Sequence, residues 1–570
     1  MHTIARRILP LCLLLIAACT EQTGESADHL FLNARVYTLD DAQPWAQAIA
    51  VRGNRIVFVG DNSTAQKLRG AGTVVHEISG RMILPGLIDT HMHPVTGGAY
   101  ATALSLDTFG TIEDWITAID EYAVANPDLP LIFGYGFLAS RFGPEGPTRQ
   151  MIDNVVTDRP VLIMDEGFHG AWGNSEALRR LGITRDTSDP VPGFSYYKRD
   201  ADGDATGYLL EGTAGAAMDG LGAITEDDVV EGTGIVFDIM NSYGVTAAFD
   251  AGALGYEDIL ANVLARISDS GEMTVRVVGA YRPDGPDGLD GALDNVDKWS
   301  KTIAGDNYHY RMLKLMDDGT VEGRTAAMFE DYRDEPGNSG ETVFTGEQLS
   351  ATVAGAAGRN IDVHIHALGE RAVHEALNAI EFARIAHPST DSRFAICHIQ
   401  VILDQDLERF AELDVIAQST PLWAAYDTYG EQFVSEDQFN RFWRFQSLHD
   451  LGVKLTFGSD FPASGAGTLG MSPLFNVEIG HTRQDPGNPD APIQPRESER
   501  LDVETLIRGY TIDAAYQLRM EDEIGSLEIG KKADLVVLER DIFETDAYEI
   551  GKIAVDMTMM NGNIVYKRDD

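Results

Sequence analysis

Residues 84–93 of the chain read LPGLIDTHMH, an apolar run that ends in two histidines. Side chains alternate between the two faces of a β-strand, so His91 and His93 share a face and can point toward one metal ion. Two histidines separated by one residue are a weak signal when they stand alone, since such pairs often lie on polar surfaces. Their place at the end of an apolar strand, followed by Pro94, favours a metal site at a strand end.

Apolar runs of strand length recur downstream and alternate with longer stretches of helical character. This alternation is typical of a parallel sheet with crossover helices. About 430 residues lie between the β segments at the two chain ends, which exceeds the roughly 250 of a plain eight-fold barrel, although insertions carry such barrels past 400. The downstream runs are residues 245–249, 312–316, 361–366, 394–398 and 453–457.

Short strand-like runs also lie near both ends of the chain, and Asn561-Gly562 marks a hairpin turn between the last two. We expect the runs from both ends to join in one small β-sandwich made of residues 29–85 and 516–570. The barrel then covers residues 86–515, with an insertion at about 100–225 whose Gly- and Pro-rich loops wall or cover the barrel mouth. The predicted fold class is α/β.

The first residues have the pattern of an export signal, because Arg6 and Arg7 precede a short apolar run that closes with Ala17-Ala18-Cys19. The run is too short to span a bilayer. Residues 16–19 resemble a bacterial lipobox, so we predict a lipoprotein signal peptide at 1–18, a lipid on Cys19 and a flexible tether at 19–28, with an ordinary secretory signal as the alternative. The chain is then exported and anchored to the membrane only through Cys19, facing the periplasm or the cell exterior.

Charge and cysteine content narrow the function classes further. A formal charge of −45 disfavours binding to nucleic acid, because so acidic a chain repels phosphate. Cys12 leaves with the predicted signal and Cys19 carries the lipid, so Cys397 remains alone and no disulfide framework forms. On an apolar strand, Cys397 is better explained as a buried, unreactive thiol than as a nucleophile.

Further strand ends supply what a metal site still lacks. His366 and His398 each end an apolar run, and Asp460 follows another. Together with His91 and His93, they form a set of nitrogen and oxygen ligands for one or two divalent ions. Such a set suits zinc best and manganese, iron, nickel or cobalt less well.

Two residues on these strands allow more than one interpretation. His364 shares a strand face with His366, and we assign His366 as the ligand because a turn begins just beyond it. Lys314 is a charged residue inside an apolar run, so it needs a partner or a changed charge. It is either a carboxylated lysine that bridges two metal ions or a lysine paired with Asp317, Asp318 or another acid.

The order of these features resembles the YtcJ-like branch of the amidohydrolase superfamily, also called amidohydrolase family 3. The resemblance covers nearly the whole mature chain and includes HGAWGNS at 169–175, HALGERA at 366–372, GSDFP at 458–462 and GSLEIGKKADL at 525–535. It implies a distorted, TIM-like (β/α)8 barrel with a β-sandwich from both termini, one or two divalent metal ions, and hydrolysis of amide-like bonds including formamides. By position, the residues that match the family's metal site are His91, His93, His366, His398 and Asp460, and Lys314 matches its strand-four lysine.

Several positions depart from the family pattern and bear on the substrate. Cys397 stands where Glu is usual, and Thr420 and Trp423 replace the Gln and His that usually flank a proline. We therefore predict that Trp423 contacts the substrate. His169, in the insertion, is a second candidate for substrate contact, with a helix-capping or structural role as the alternative.

These features together predict a metal-dependent amidohydrolase that cleaves a non-peptide carbon–nitrogen bond, in an amide or formamide, of a small molecule. The metal lowers the pKa of water from about 16 to near 7, and Asp460 takes the proton and passes it to the leaving nitrogen, while His398 or His169 stabilises the oxyanion. The alternatives are an esterase, lactonase or deaminase that uses the same site, and a surface lipoprotein that binds ligand without turnover. The sequence is compatible with a homo-oligomer but does not determine the oligomeric state.

Overall fold

The computed structural model describes residues 26–107, 110–142, 146–166, 170–190, 195–428 and 430–569. The predicted signal peptide, the lipidation site Cys19 and the candidate contact residue His169 lie outside these ranges. Within the described ranges, no helix has the length and apolar character needed to cross a membrane.

Eight parallel strands at the centre of the molecule curve into a nearly closed barrel, which confirms the predicted α/β barrel. The first and eighth strands meet at their carboxyl ends, where Asp460 N donates to His91 O at 2.7 Å and His93 N donates to Phe461 O at 2.9 Å. The strands are β1 (Leu87–Met92), β2 (Val245–Asp250), β3 (Arg276–Tyr281), β4 (Tyr308–Met316), β5 (Val363–Ala367), β6 (Phe394–His398), β7 (Val415–Ser419) and β8 (Leu455–Phe457).

The barrel strands read as near-continuous apolar runs because both of their faces are buried. Every residue of β2, β5, β6 and β7 is buried, against helices outside the barrel and against packed side chains inside it. Polar residues within these runs are therefore the exceptions that need an explanation.

Helices cover the outside of the barrel and begin where the sequence supplies caps. The hydroxyl of Thr225 accepts a hydrogen bond from Asp228 N, and Thr345 caps its helix in the same way at Gln348 N. The helices between and after the barrel strands, outside the insertion, are Glu226–Ser242, Glu257–Ser270, Ala292–Thr302, Gly346–Gly358, Glu370–Ala386, Asp404–Glu412, Gly430–Phe433, Glu436–Phe439, Phe445–Asp450, Pro473–Thr482, Val503–Gly509 and Ile512–Gln517.

Strands from both chain ends form two sheets that pack face to face. Leu535–Leu538 pairs antiparallel with Met82–Pro85, so the C-terminal segment extends a sheet that the N-terminal segment begins. Phe31 from one sheet and Val537 from the other share a core. In spatial order, the sheets are Arg55–Gly60, Ala48–Arg52, His29–Leu32 and Val74–Glu77, and Asn563–Lys567, Val555–Met560, Leu535–Leu538, Met82–Pro85, Arg35–Tyr37 and Trp45–Ala46. The domain limits given above stay a prediction.

The segment between β1 and β2 forms a third, six-stranded sheet with its own aromatic core around Trp115, Phe137 and Trp172. Its strands in spatial order are Tyr197–Arg199, Ala205–Leu210, Gly170–Gly173, Val161–Asp165, Ile132–Phe137 and Leu104–Ser105. The helices of this segment are Pro94–Ala101, Ile112–Ala125, Arg149–Asp153, Ser175–Arg180 and Gly212–Leu221.

Candidate metal centre

The carboxyl ends of β1 and β8 bring two histidines and one aspartate together. His91 Nε2 lies 3.4 Å and His93 Nε2 lies 3.3 Å from the same oxygen, Asp460 Oδ1. One ligand atom from each of the three residues falls within 4.8 Å of the other two. The backbone hydrogen bonds that close the barrel place Asp460 beside His91, so this convergence follows from the closure.

Asp89 and Gly458 hold the two strand ends in contact. The buried Asp89 carboxylate accepts hydrogen bonds from the backbone N–H groups of His91 and Ser459, both at 3.1 Å. Burial raises the pKa of Asp89 to about 7. A Cβ on Gly458 would lie 2.4 Å from His91 N, so the two backbones approach this closely only because residue 458 is glycine.

A left-handed backbone turns His398 into the barrel. Cys397 pairs in register with His366 and Gln418, and residues paired across parallel strands point to the same face, here the interior. Strict alternation would then send His398 outward, but φ is 75° at His398 and 50° at Ile399. His398 Nδ1 consequently lies 3.9 Å from Asp460 Oδ2.

His364 and His366 project from β5 but contact different parts of the site. His364 Nε2 lies 3.0 Å from His91 Nδ1, and the His364 ring lies 4.8 Å from that of Phe249. His364 therefore packs against the Nδ1 side of His91. The His366 ring lies 4.5 Å from that of His398, at the carboxyl end of the strands. The assignment of His366 rather than His364 as a ligand stays a prediction, and this placement favours it.

Hydrogen bonds on the far side of each imidazole fix which ring nitrogen faces Asp460. His93 Nδ1 lies 2.7 Å from Gly252 O, and His91 Nδ1 lies 3.2 Å from Gln418 Oε1. Both oxygens are acceptors, so the two Nδ1 atoms carry protons, and in the neutral form of each ring Nε2 presents a lone pair to Asp460.

Burial favours the neutral form of His91, His366 and His398. It lowers the pKa of His91 and His398 far below the ordinary histidine range and lowers the pKa of His366 to about 3, with the nearby Lys314 charge adding to the effect. Neutral imidazoles keep the lone pairs that metal ligation requires.

These observations fit a divalent cation. Nε2 of His91, Nε2 of His93 and the Asp460 carboxylate face one another at 3.3 to 3.4 Å, an arrangement that a shared cation stabilises. His398 Nδ1 is buried and has no hydrogen-bond partner among the described residues, as expected for a nitrogen that awaits a ligand.

Lys314 and Cys397 form an unexpected pair inside the barrel. Lys314 Nζ lies 3.2 Å from Cys397 Sγ and 3.3 Å from His91 Nε2. Asp318 accepts backbone hydrogen bonds at 2.9 to 3.0 Å. Whether Lys314 is carboxylated or pairs with Asp317, Asp318 or another acid stays a prediction. Cys397 is fully buried, as expected, and burial raises the pKa of its thiol to about 12.

Trp423 lies at the edge of the centre, where its ring is 5.5 Å from that of His398 and its Nε1 donates to Ser464 O at 3.0 Å. It is half-buried. Substrate contact by Trp423 stays a prediction, and His169 lies outside the described residues.

The residues that the sequence analysis did not predict are those that support the candidate ligands, namely Asp89, Gln418 and Gly252. The position of Asp89 could have indicated its role, because it lies two residues before His91 on the same strand face. Gln418 is a polar residue inside the apolar run of β7, which is also a signal. Gly252 contributes a backbone carbonyl, which no side-chain pattern reveals.

Comparisons with known proteins agree with this architecture. A structure described as an uncharacterized metal-dependent hydrolase from Pyrococcus furiosus superposes with a TM-score of 0.70 at 24% identity, covering 90% of this chain and 100% of that one. The N-substituted formamide deformylase of Arthrobacter pascens is 25% identical over 559 residues, 95% of this chain and 98% of the relative. The putative amidohydrolase YtcJ of Bacillus subtilis (strain 168) is 25% identical over 541 residues, 94% of this chain and 98% of the relative, which confirms the YtcJ-like resemblance. The sequence profile of the Amidohydrolase family matches residues 77–566, so the chain belongs to that family.

Proposed function

We propose that the chain is a metal-dependent hydrolase that cleaves a non-peptide carbon–nitrogen bond, in an amide or formamide, of a small molecule. The observation that carries the proposal is the convergence of ligand atoms from His91, His93 and Asp460 within 4.8 Å of one another. Family membership supports hydrolysis, and the 25% identity to a formamide deformylase supports this bond type.

His91, His93 and Asp460 would hold a divalent ion, with His366 and His398 beside it. Neutral nitrogens with one carboxylate favour zinc. When bound, the ion supplies Lewis acidity that brings the pKa of a water molecule close to neutrality. Lys314 is the residue on which carboxylation would add an oxygen ligand, since its amine lies 3.3 Å from His91 Nε2 and no described carboxylate pairs with it. Metal analysis at low and high bicarbonate distinguishes one ion without carboxylation from two ions with it.

Asp460 carries the proton of the reaction. Hydrolysis adds the hydroxyl of water to the carbonyl carbon and its proton to the leaving nitrogen, and a carboxylate at the centre accepts that proton and returns it. His398 Nδ1, 3.9 Å from Asp460 Oδ2, is placed to contact the carbonyl oxygen or the ion. Trp423 would provide an apolar wall beside His398 that excludes water and positions the substrate.

The experiment is Asp460→Asn, assayed on N-substituted formamides. We expect kcat to fall at least about 100-fold, the lower bound for a general base, with most of the metal retained. Asp437→Asn, at an 80% exposed side chain, is the matched control and should retain full activity. Full activity of Asp460→Asn would refute the assigned base, and activity that is insensitive to chelators would refute the metal requirement.

A matched substrate panel tests the bond that is cleaved. N-substituted formamides, the formate esters of the corresponding alcohols, lactones and ring amines are compared by kcat/KM. The proposal expects the formamides or related amides to have the highest values. A preference for esters, lactones or ring amines would assign the site to an esterase, lactonase or deaminase, and binding without turnover of any would assign it to a ligand-binding protein.

We also propose that the chain is exported and anchored through a lipid on Cys19, which the apolar run and lipobox-like residues 16–19 support. Labelled fatty acid should be incorporated into the full chain and lost in Cys19→Ser, and the protein should move from the membrane to the soluble fraction. Membrane association that is unchanged in Cys19→Ser would overturn this proposal.

A further inference from the structure

The thiol of Cys397 lies inside the barrel and the mechanism above does not use it. Cys397 lies on β6 in register with His366 of β5, and its side chain has no exposed surface. Its polar neighbour is Lys314 Nζ at 3.2 Å. A thiol in contact with charged and ligating groups differs from one packed only among apolar side chains, and this difference requires an explanation.

Two common roles of a cysteine do not fit this position. A disulfide lacks a partner, because Cys397 is the single free cysteine among the described residues and the two others, Cys12 and Cys19, belong to the predicted signal and anchor. A nucleophile requires access for the substrate, and Cys397 is fully buried.

Ligand atoms from His91 and His398 surround this thiol. One atom each from His91, Cys397 and His398 lies within 4.8 Å of the other two. His398 Nδ1 is buried and has no hydrogen-bond partner among the described residues, so its lone pair is available to a cation. Histidine nitrogen and cysteine sulfur are both ordinary ligands of zinc.

We propose that Cys397 is a metal ligand of this chain and that it binds, as a thiolate together with His91 and His398, a thiophilic divalent cation of the zinc type. The inference rests on the proposed metal-dependent function and deepens it, since this set shares His91 with the set of His91, His93 and Asp460. Ligation releases the thiol proton to solvent and forms one sulfur–metal bond.

A sulfur ligand has a consequence for ion selectivity. Thiolates favour zinc and cobalt over the hard ions magnesium and manganese, which prefer oxygen. The chain should therefore retain zinc in a large excess of manganese. The ratio of its zinc affinity to its manganese affinity should be smaller in Cys397→Ala.

Cobalt(II) loaded into the metal-depleted full chain provides a direct readout. A thiolate ligand produces an intense sulfur-to-cobalt charge-transfer band in the near ultraviolet. We expect this band in the unmodified chain and in the matched control Cys12→Ser/Cys19→Ser, and its loss in Cys397→Ala. The affinity for zinc in Cys397→Ala should fall at least about 100-fold, because the loss of groups that only support ligands already costs 10- to 100-fold.

X-ray absorption of the zinc-loaded, unmodified chain provides a readout that does not depend on the folding of a variant. It should show a sulfur neighbour at about 2.3 Å. Stoichiometric metal without a sulfur neighbour and without the cobalt band would overturn the role of Cys397 and leave the proposed hydrolase intact. Failure of the chain to bind zinc or cobalt at all would overturn both proposals.

Discussion

Removal of the acceptor that Gln418 offers to His91 should weaken metal binding without changing a ligand. The fully buried Gln418 places Oε1 3.2 Å from His91 Nδ1 and so keeps the proton on that nitrogen. Loss of such a supporting partner costs about 10- to 100-fold in metal affinity. In Gln418→Leu, His364 Nε2 still lies 3.0 Å from the same nitrogen and accepts its proton. We therefore expect a loss near the lower limit, about tenfold or ~1.4 kcal/mol.

The measurement is the dissociation constant of zinc, obtained by competition with a chromophoric chelator. Gln484→Leu is the matched control, because Gln484 is also buried but donates to the backbone carbonyls of Pro489 and Ala491. The double variant Gln418→Leu/His364→Leu should lose more affinity than the product of the two single losses, since each single variant leaves the other acceptor in place. Unchanged affinity in Gln418→Leu, or an equal loss in Gln484→Leu, would contradict the supporting role assigned to Gln418.

Three further variants test close packing at the site and buried charges elsewhere in the fold. Gly458→Ala forces a Cβ to 2.4 Å from His91 N, so we expect a loss of about 1–3 kcal/mol in unfolding free energy and a lower metal content, measured by urea titration and metal analysis. Asp534→Ala removes the partner of Arg276, 2.5 Å away and with both side chains at most 4% exposed, and should cost about 3–5 kcal/mol in a urea titration; a loss below about 1 kcal/mol would contradict the buried pair. Burial lowers the pKa of His76 to about 4, so the contribution of neutral His76 to stability is complete above pH 6.5 and is lost as the pH falls from 6.5 toward 4. After allowance for its partial exposure, His76→Gln should lose about 1–2 kcal/mol less unfolding free energy than the unmodified chain between pH 7 and pH 4. Equal losses in the two proteins would contradict this.

Much of the fold follows from local patterns in the sequence. The apolar runs predict parallel strands because a strand buried on both faces needs apolar residues throughout, and β6 coincides with the run 394–398. The predicted boundaries of other strands are less accurate, since β4 begins at Tyr308, four residues before its apolar run. The pairing of Leu535–Leu538 with Met82–Pro85 joins segments more than 400 residues apart, and a hairpin signal predicts the strands but not this pairing.

The sequence predicts which strand ends meet at the site, but it does not predict the contacts that depend on strand register. Strand-end positions predicted that His91, His93 and Asp460 meet, because parallel strands end on the same side of a barrel. The contact of Lys314 with Cys397 depends on the register of β4, β5 and β6, which the sequence does not state. Lys314 therefore contacts a thiol, which its neighbours in sequence did not suggest.

The inward turn of His398 connects backbone strain to function. Left-handed backbone at non-glycine residues costs of order 1–3 kcal/mol each, and His398, Ile399 and Asp460 all adopt it at this centre. Hydrogen bonds hold the strained segments, because Asp460 N donates to His91 O at 2.7 Å and Ser419 Oγ donates to His398 O at 2.8 Å. Since the barrel walls enforce this conformation, folding meets the cost of arranging the candidate ligands, and that cost does not reduce the affinity of the proposed site for metal.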